Sequence, residues 1–283
     1  MIKQAGTSLG AGTVLARAHG GHLSGGHRMT APWLTLITIT KDDPAGLTRT
    51  MASAAPLRAA GAQHLVIDGS AGRERSTRED TNNDGCAIFV RPAQGITDAF
   101  NAGLALAEGE WVWFLNGGDQ VDARLTPEFL SALLASSRAG VIIGGITYAG
   151  EGEPRPHPPG ALQWPSLRPW IPHPAALVRR RLFEQFGGFD ERYAIVMDYE
   201  WWLKAFSGGA RADVLSIPFA VFAPGGVSQQ LEARAQLVGE RDDAVRRHQS
   251  YLWRTWVAAG GRLARAWLSA QFARRLGSAP RRT

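Results

Sequence analysis

The segment Phe114-Leu115-Asn116-Gly117-Gly118-Asp119 runs an apolar stretch straight into a turn of small residues that ends in one carboxylate. Gly117 and Gly118 carry no Cβ, so backbone there can come close to a ligand. Asp119 offers the hard oxygen that a divalent cation takes, and a diphosphate leaving group needs such a cation. The same pattern also describes an ordinary strand-to-loop turn closed by an aspartate, and the residues alone leave the two readings level. Asp68-Gly69-Ser70 is another carboxylate at a turn. Taken alone it reads as a capped tight turn.

The elements that must position these turns are legible as alternating patterns. Residues 33–40 (WLTLITIT) are β-rich and apolar, and the stretch from Pro44 to Gly61 has helical character. Residues 64–67 and 86–90 read as further strands, separated by a polar loop over 71–85. Ile96, Ala99, Phe100, Gly103, Leu104 and Ala107 recur at helical spacing, Gly109 closes that pattern, and a strand over 111–115 follows at once. This alternation predicts an α/β domain with a Rossmann-like, mostly parallel sheet flanked by helices. Ligands gather at the carboxyl ends of strands in such sheets, and Asp68 and Asp119 both fall at strand ends on one rim. Beyond Gly140 the pattern changes to a short strand (141–146), a Pro-rich excursion (153–174), a helix over 180–186 and a Gly-Gly turn. No internal repeat is present.

Bulk properties narrow the classes. With 283 residues, 45% of them hydrophobic, the chain can bury a core. Cys86 is the only cysteine, so no internal disulfide forms and a cytoplasmic setting is expected. No run approaches the roughly 18–20 apolar residues of a spanning helix. Residues 1–31 are rich in Gly, His and Ala without the apolar core of a secretory signal, and are expected to be a disordered leader, with Met29 an alternative start.

The net charge of +6 has its origin in the tail, where every charged side chain from Arg254 onward is arginine. Mixed charges before that point argue against nucleic acid as a partner. The segment 229–283 is expected to be a helical, amphipathic extension. Within it Trp253, Trp256, Leu263, Trp267, Leu268 and Phe272 are interleaved with Arg254, Arg262, Arg265, Arg274 and Arg275. That composition suits an anionic membrane interface, and so a peripheral position on the inner face of the cell membrane. The competing reading packs the Trp face onto the domain.

The run Gly95 to Asp119 (GITDAFNAGLALAEGEWVWFLNGGD) resembles the core of family 2 inverting glycosyltransferases with the GT-A fold, above all bacterial polysaccharide-assembly members. Gly95, Asp98, Asn101, Gly103, Gly109, Asn116 and Asp119 match, and the likeness extends over the expected domain, 32–228. The resemblance implies metal-dependent, inverting transfer of a sugar from a nucleotide-sugar, UDP by default. The acceptor would be a hydroxyl of a saccharide or lipid-linked molecule, in surface polysaccharide or glycolipid assembly. It also implies donor contacts at Thr38, Thr40, Asp68, Gly95, Asp98, Asn101, Asn116, Gly118 and Ser228, the last in Gly225-Gly226-Val227-Ser228, and Mg2+ or Mn2+ on Asp119. Many members have a second acidic residue where Gly118 stands. One carboxylate then holds the metal unless Asp98 or Asp122 assists, and metal affinity without donor is expected to be weak.

His173-Pro174, the run Phe186 to Glu191 and Met197-Asp198-Tyr199-Glu200-Trp201-Trp202 follow in the family's order. The resemblance makes Asp198 the catalytic base and this half of the chain the acceptor side. Asp198 also reads as an N-cap for a helix over 199–206. Glu200 is the rival base or a contact to acceptor or donor, but positions two apart on a helix point about 200° away from each other, so only one faces the site. His173 is either a structural histidine or a donor or acceptor contact. A different class stays open: a nucleotide-sugar-binding scaffold without turnover in a membrane-associated assembly.

Overall fold

The computed structural model describes residues 31–70, 79–81, 86–90, 95–149, 155–157, 171–226 and 231–248. The expected leader, Ser228 and the Trp/Arg-rich segment lie outside them.

Strand β1 (Leu34–Thr40) is β-branched and aliphatic, and helix α1 (Pro44–Ala59) follows it. The helix starts where it does because Pro44 supplies a pre-set φ at the first position and the Asp43 carboxylate accepts from Gly46 N–H at 2.8 Å. Strands β2 (Gln63–Asp68), β3 (Glu79–Thr81) and β4 (Cys86–Val90) lead to helix α2 (Ile96–Ala105) and strand β5 (Trp111–Asn116). After the short β6 (Gln120–Val121), helix α3 (Pro127–Ser136) begins in the same way as α1: Thr126 caps Phe129 N–H and Pro127 sits just inside.

Strands β7 (Val141–Tyr148) and β8 (Arg155–His157) come next. A single 3₁₀ turn (His173–Ala175) then runs into β9 (Ala176–Arg179), helix α4 (Arg180–Phe186), helix α5 (Met197–Ser207), strand β10 (Ala212–Phe222) and helix α6 (Arg234–Arg247).

The described strands form one sheet in the order β3-β4-β2-β1-β5-β9-β7-β10-β6, with β8 on β7. The expectation of a mostly parallel sheet needs correction. β4, β2, β1 and β5 run parallel to one another and β10 runs parallel to β7, but β9 enters antiparallel to both β5 and β7, and β3, β6 and β8 also pair antiparallel. The sheet is mixed, and the change occurs at the β5–β9 seam. A four-residue strand with no polar alternation gives little periodicity to read, which is why β9 is silent in the sequence. In β10, Pro218 marks the shifts in register against β7.

Both faces of the central strands are buried, so their side chains divide by alternation. Ile37, Val112, Phe114, Val141, Ile143, Ala176 and Val178 join α2, α4 and α5 in one core. Leu34, Leu36, Trp111, Trp113, Leu115, Ile142 and Leu177 join α1 and α3 in the other.

Gly109 fits this packing because a Cβ there would lie 2.5 Å from Thr35 N and 2.6 Å from Leu34 C, both backbone atoms. Its N–H donates to Thr35 Oγ1 at 2.9 Å. Gly109→Ala is therefore expected to lower the unfolding free energy by about 1–3 kcal/mol. On exposed α6 a Cβ at Gly239 meets nothing within 4 Å, and Gly239→Ala is expected to raise it by about 0.4–1 kcal/mol. Urea midpoints of both variants against wild type check the pair.

Candidate active site

The rim is set by strand register. Thr40 pairs with Asp68 across β1 and β2, and Ile39 pairs with Asn116 across β1 and β5, so the ends of these strands lie level. Gly69 N–H donates to Thr40 C=O at 2.9 Å and Gly117 N–H to Ile39 C=O at 2.8 Å, which carries both turns off the same edge. The glycine turn is then fixed from below by α1. Thr50 Oγ1 donates to Asp119 C=O at 2.6 Å and accepts from Gly118 N–H at 2.9 Å, while Ser53 Oγ accepts from Val121 N–H at 3.0 Å. Gly118 has φ +100°, a backbone state that L side chains avoid and that glycine adopts freely. Thr50 and Ser53 were not legible as site residues. They hold the turn over long sequence separations and belong to no motif.

Asp119 is buried. Its Oδ1 accepts from Ala223 N–H at 2.9 Å and its Oδ2 from Asn116 N–H at 3.3 Å. Burial pushes its carboxyl up to about 7, against the lowering by those two N–H groups. Asp122 does not assist it: Arg124 grips that carboxylate with Nε and a terminal nitrogen, both at 2.7 Å. Among the described residues no group of three His, Cys, Asp or Glu side chains converges to hold a metal. Among the described residues the donor set at the turn is thus one hard carboxylate, and the buried hydroxyl of Thr40 beside Gly117 has no hydrogen-bond partner among them. It fits a cation whose remaining positions come from diphosphate and water, and not one caged by protein.

The other expected donor contacts divide. Gly95 is the N-cap of α2 and Asp98 lies in its first turn. Asp68 is buried and accepts from Ser70 N–H at 2.9 Å, so the capped turn is real whatever else its second oxygen does. Thr38 is not on the rim. It is fully buried, with its hydroxyl 2.9 Å from His64 Nε2, because it sits one side-chain repeat below Thr40 on the same face of β1. Asn101 is also redirected: its amide donates to Phe189 C=O and accepts from Phe189 N–H, both at 2.9 Å, tying α2 to the Gly187–Phe189 turn.

Asp198 and His173 come together. The 3₁₀ turn is anchored to β5 by Trp113 Nε1, which donates to Pro174 C=O at 2.8 Å. The His173 ring stacks on Phe114 at 5.2 Å between centroids, with Phe100 at 5.1 Å. Its Nδ1 is 3.8 Å from Asp198 Oδ2, and neither buried ring nitrogen has a hydrogen-bond partner among the described residues. Burial lowers the His173 pKa, opposed by the Asp198 charge, so the ring is neutral at pH 7. Burial raises the Asp198 carboxyl above its ordinary value, opposed by His173 and by the N–H of Tyr199.

The helix boundary differs from the expected one. α5 begins at Met197 with Val196 as its cap, so Asp198 is in the first turn and does not cap a helix over 199–206. Glu200 is buried, with His248 Nε2 at 2.9 Å from Oε1 and Lys204 Nζ at 3.8 Å from Oε2. Trp201 Nε1 and Lys204 Nζ donate to Gly187 and Gly188 C=O at 2.9 and 3.0 Å, which locks α5 onto the Gly-Gly turn.

If Asn101 is a clamp, Asn101→Ala leaves the Phe189 backbone groups unpaired and lowers stability by about 1–3 kcal/mol, with donor affinity unchanged. Chemical denaturation and calorimetric donor titration of one sample check both halves. A loss of affinity without loss of stability would restore the donor contact.

The sequence model of the family described as Glycosyl transferase family 2 matches residues 35–201. Over 185 residues the chain is 30% identical to an uncharacterized glycosyltransferase of Mycobacterium tuberculosis, covering 62% of this chain and 70% of that one. It is 26% identical over 188 residues to a PGL/p-HBAD biosynthesis glycosyltransferase of Mycobacterium bovis, covering 64% and 73%.

Among solved structures, S. aureus TarS (residues 1–349) in complex with UDP superposes with a TM-score of 0.52 at 18% identity, covering 69% of this chain. The chain spans 61% of that TarS structure. The mannosyltransferase PcManGT from Pyrobaculum calidifontis, in complex with GDP-Man and Mn2+, gives a TM-score of 0.52 at 18% identity over 87% of this chain and 81% of that one. The mixed sheet flanked by helices is the GT-A fold, and the chain belongs to glycosyl transferase family 2.

Proposed function

We propose that the protein transfers a sugar from a nucleotide-sugar, a UDP-sugar first, to an acceptor hydroxyl with inversion at the anomeric carbon, and that Asp198 is the base. The observation that carries this reading is the Asp198–His173 pair. A carboxylate with raised proton affinity, beside a neutral imidazole and one aromatic layer from the glycine turn, is suited to take a proton from a hydroxyl. In the reaction the acceptor oxygen forms its bond to the anomeric carbon as the bond to the diphosphate oxygen breaks. The hydroxyl proton passes to Asp198 and the nucleoside diphosphate departs.

On the donor side, Thr40, Asp68, Gly95, Asp98, Asn116 and Gly118 are the rim residues proposed to meet the nucleotide and diphosphate, with Ser228 after the Gly225-Gly226 turn. That turn lies close by, since Ala223 already donates to Asp119. Asp119 is the residue that would hold Mg2+ or Mn2+, which when bound neutralises charge on the departing diphosphate. The nucleotides held by the two solved neighbours support a nucleotide-sugar donor, and the Mn2+ in PcManGT supports the cation.

The acceptor is proposed to be a saccharide or lipid-linked molecule in surface polysaccharide or glycolipid assembly. No helix among the described residues is long and apolar enough to cross a membrane. Contact with an anionic membrane, from the cytoplasmic side, is proposed from the Arg/Trp composition of the tail.

The direct test is nucleotide release from a panel of UDP-, GDP- and dTDP-sugars with Mn2+ or Mg2+ and membrane extract as acceptor. Asp198→Asn is expected to lower turnover by about 10²–10⁴-fold while donor binding persists. Asp119→Ala and chelation with EDTA are expected to weaken donor binding itself. Nucleotide-sugar binding without turnover in the wild type would replace this reading with the scaffold.

The pH profile is a separate check. The base works deprotonated, and Asp198 is raised, so the acid limb of turnover lies above the 3.8 of an ordinary aspartate. A limb at or below the ordinary value in wild type would exclude Asp198.

A further inference from the structure

Helix α6 lies beyond the family match, which ends at residue 201, yet it grips the element that carries Asp198. The N-cap of α5, Val196, offers no side-chain acceptor, so the backbone N–H groups entering the helix need partners from elsewhere. Glu240, on α6, supplies them. Its Oε1 accepts from Ala194 N–H at 3.1 Å, and its Oε2 accepts from Ile195 N–H at 2.9 Å and Val196 N–H at 3.1 Å. Gln236 Nε2 donates to Oε1 at 2.8 Å and holds the carboxylate in that direction.

These contacts are charge-assisted, and the anion also faces the positive end of the α5 dipole. Other ties between α6 and this region fall elsewhere. Asp243 accepts from the Tyr193 hydroxyl at 2.7 Å, and His248 meets Glu200. Glu240 alone among the described α6 side chains takes the N–H groups of residues 194–196, which stand immediately before Met197 and Asp198.

We propose that Glu240 is a positioning residue for sugar transfer: by gathering the N–H groups of Ala194, Ile195 and Val196 it fixes the entry into α5 and with it the direction of the Asp198 carboxylate. This rests on Asp198 being the base. Misplacing a reacting group by about 1 Å costs on the order of 10²-fold in rate, so a slackened entry acts on turnover without touching the donor-binding rim.

The test compares Glu240→Ala, Glu240→Gln and Tyr193→Phe in the full chain, with kcat expressed per donor-binding site from a nucleotide-sugar titration so that any unfolded fraction drops out. Glu240→Ala is expected to lose about 10–100-fold in kcat with the donor KM unchanged. Glu240→Gln, whose remaining carbonyl oxygen still accepts, is expected to recover part of that loss. Tyr193→Phe removes a different α6 tie and is expected to keep the wild-type kcat.

Unchanged kcat in Glu240→Ala overturns the proposal. So does an equal loss in Tyr193→Phe, which would reduce the effect to general docking of α6, and so does a Gln variant no better than Ala. Asp198→Asn, run beside them, separates the two readings. If it keeps its activity the base assignment fails, whereas an inactive Asp198→Asn with a normal Glu240→Ala removes only the positioning role.

Discussion

The constraint on which the rest of this structure depends is the burial of β1 and β5 on both faces. Strands covered on both sides can present polar groups only where they end. The parallel pairing that sets Ile39 against Asn116 brings those ends to one level. The Gly117 N–H to Ile39 C=O bond then carries β5 into its turn without a change of edge. Five of the residues proposed to meet the donor or its cation hang from that line: Thr40 and Asp68 on one side, and Asn116, Gly118 and Asp119 on the other. The antiparallel insertion of β9 next to β5 ends the parallel half at this point and turns the following chain to a second task.

Burying the Asp119 carboxylate is expensive, and the fold offsets the cost in a specific way. An unpaired ion in the interior neutralises unless hydrogen bonds or an opposite charge support it. Two backbone N–H groups give partial support, and the carboxyl still stands near 7. Asp122 shows the contrast. It is also buried, but Arg124 pairs with it through two nitrogens, and its pKa falls below the ordinary value. Of these two carboxylates the one left without a cationic partner is the one on the glycine turn, and a group in that state is stabilised by any cation that arrives with an anionic ligand. If Asp119 holds the proposed cation as the single protein carboxylate, the affinity for it belongs to the assembly with the donor diphosphate, since neither half would be complete alone.

How much of this was legible follows from the range of the interactions. Elements with strong period or punctuation were readable, including β1, β4, β5, α2 and α4, and so were the glycine turn and the neighbourhood of Asp198. Helix α3 is marked in the sequence by Thr126-Pro127, a cap followed by a helix-starting proline, and by Leu130, Leu133 and Leu134 at helical spacing. The antiparallel entry of β9 is not legible in the sequence because that strand is too short to show alternation.

Among the site residues, the depth of Thr38 is not legible, because alternation puts it with Thr40 on one face but one repeat further into the core. The partners of Asn101 and Glu200, Phe189 and His248, are not legible because they are distant in sequence. A motif match fixes a residue's identity and not its partner. Glu240 and Thr50 were invisible for the same reason.

His173 joins the two halves. Its ring rests on Phe114, two residues before Asn116 on β5, while its Nδ1 faces Asp198 on α5. A neutral imidazole in that position screens little charge, so it leaves in place the raised proton affinity that burial gives the Asp198 carboxyl. A protonated one would stabilise the carboxylate and weaken it as a base. The aromatic cage of Phe100, Phe114 and Phe189 disfavours that state by excluding water from the ring. The same packing that closes the core above β5 thus sets the chemistry of the helix beside it. The Gly-Gly turn and α6 then hold that helix from either side, so that the carboxylate has a direction as well as an affinity for a proton.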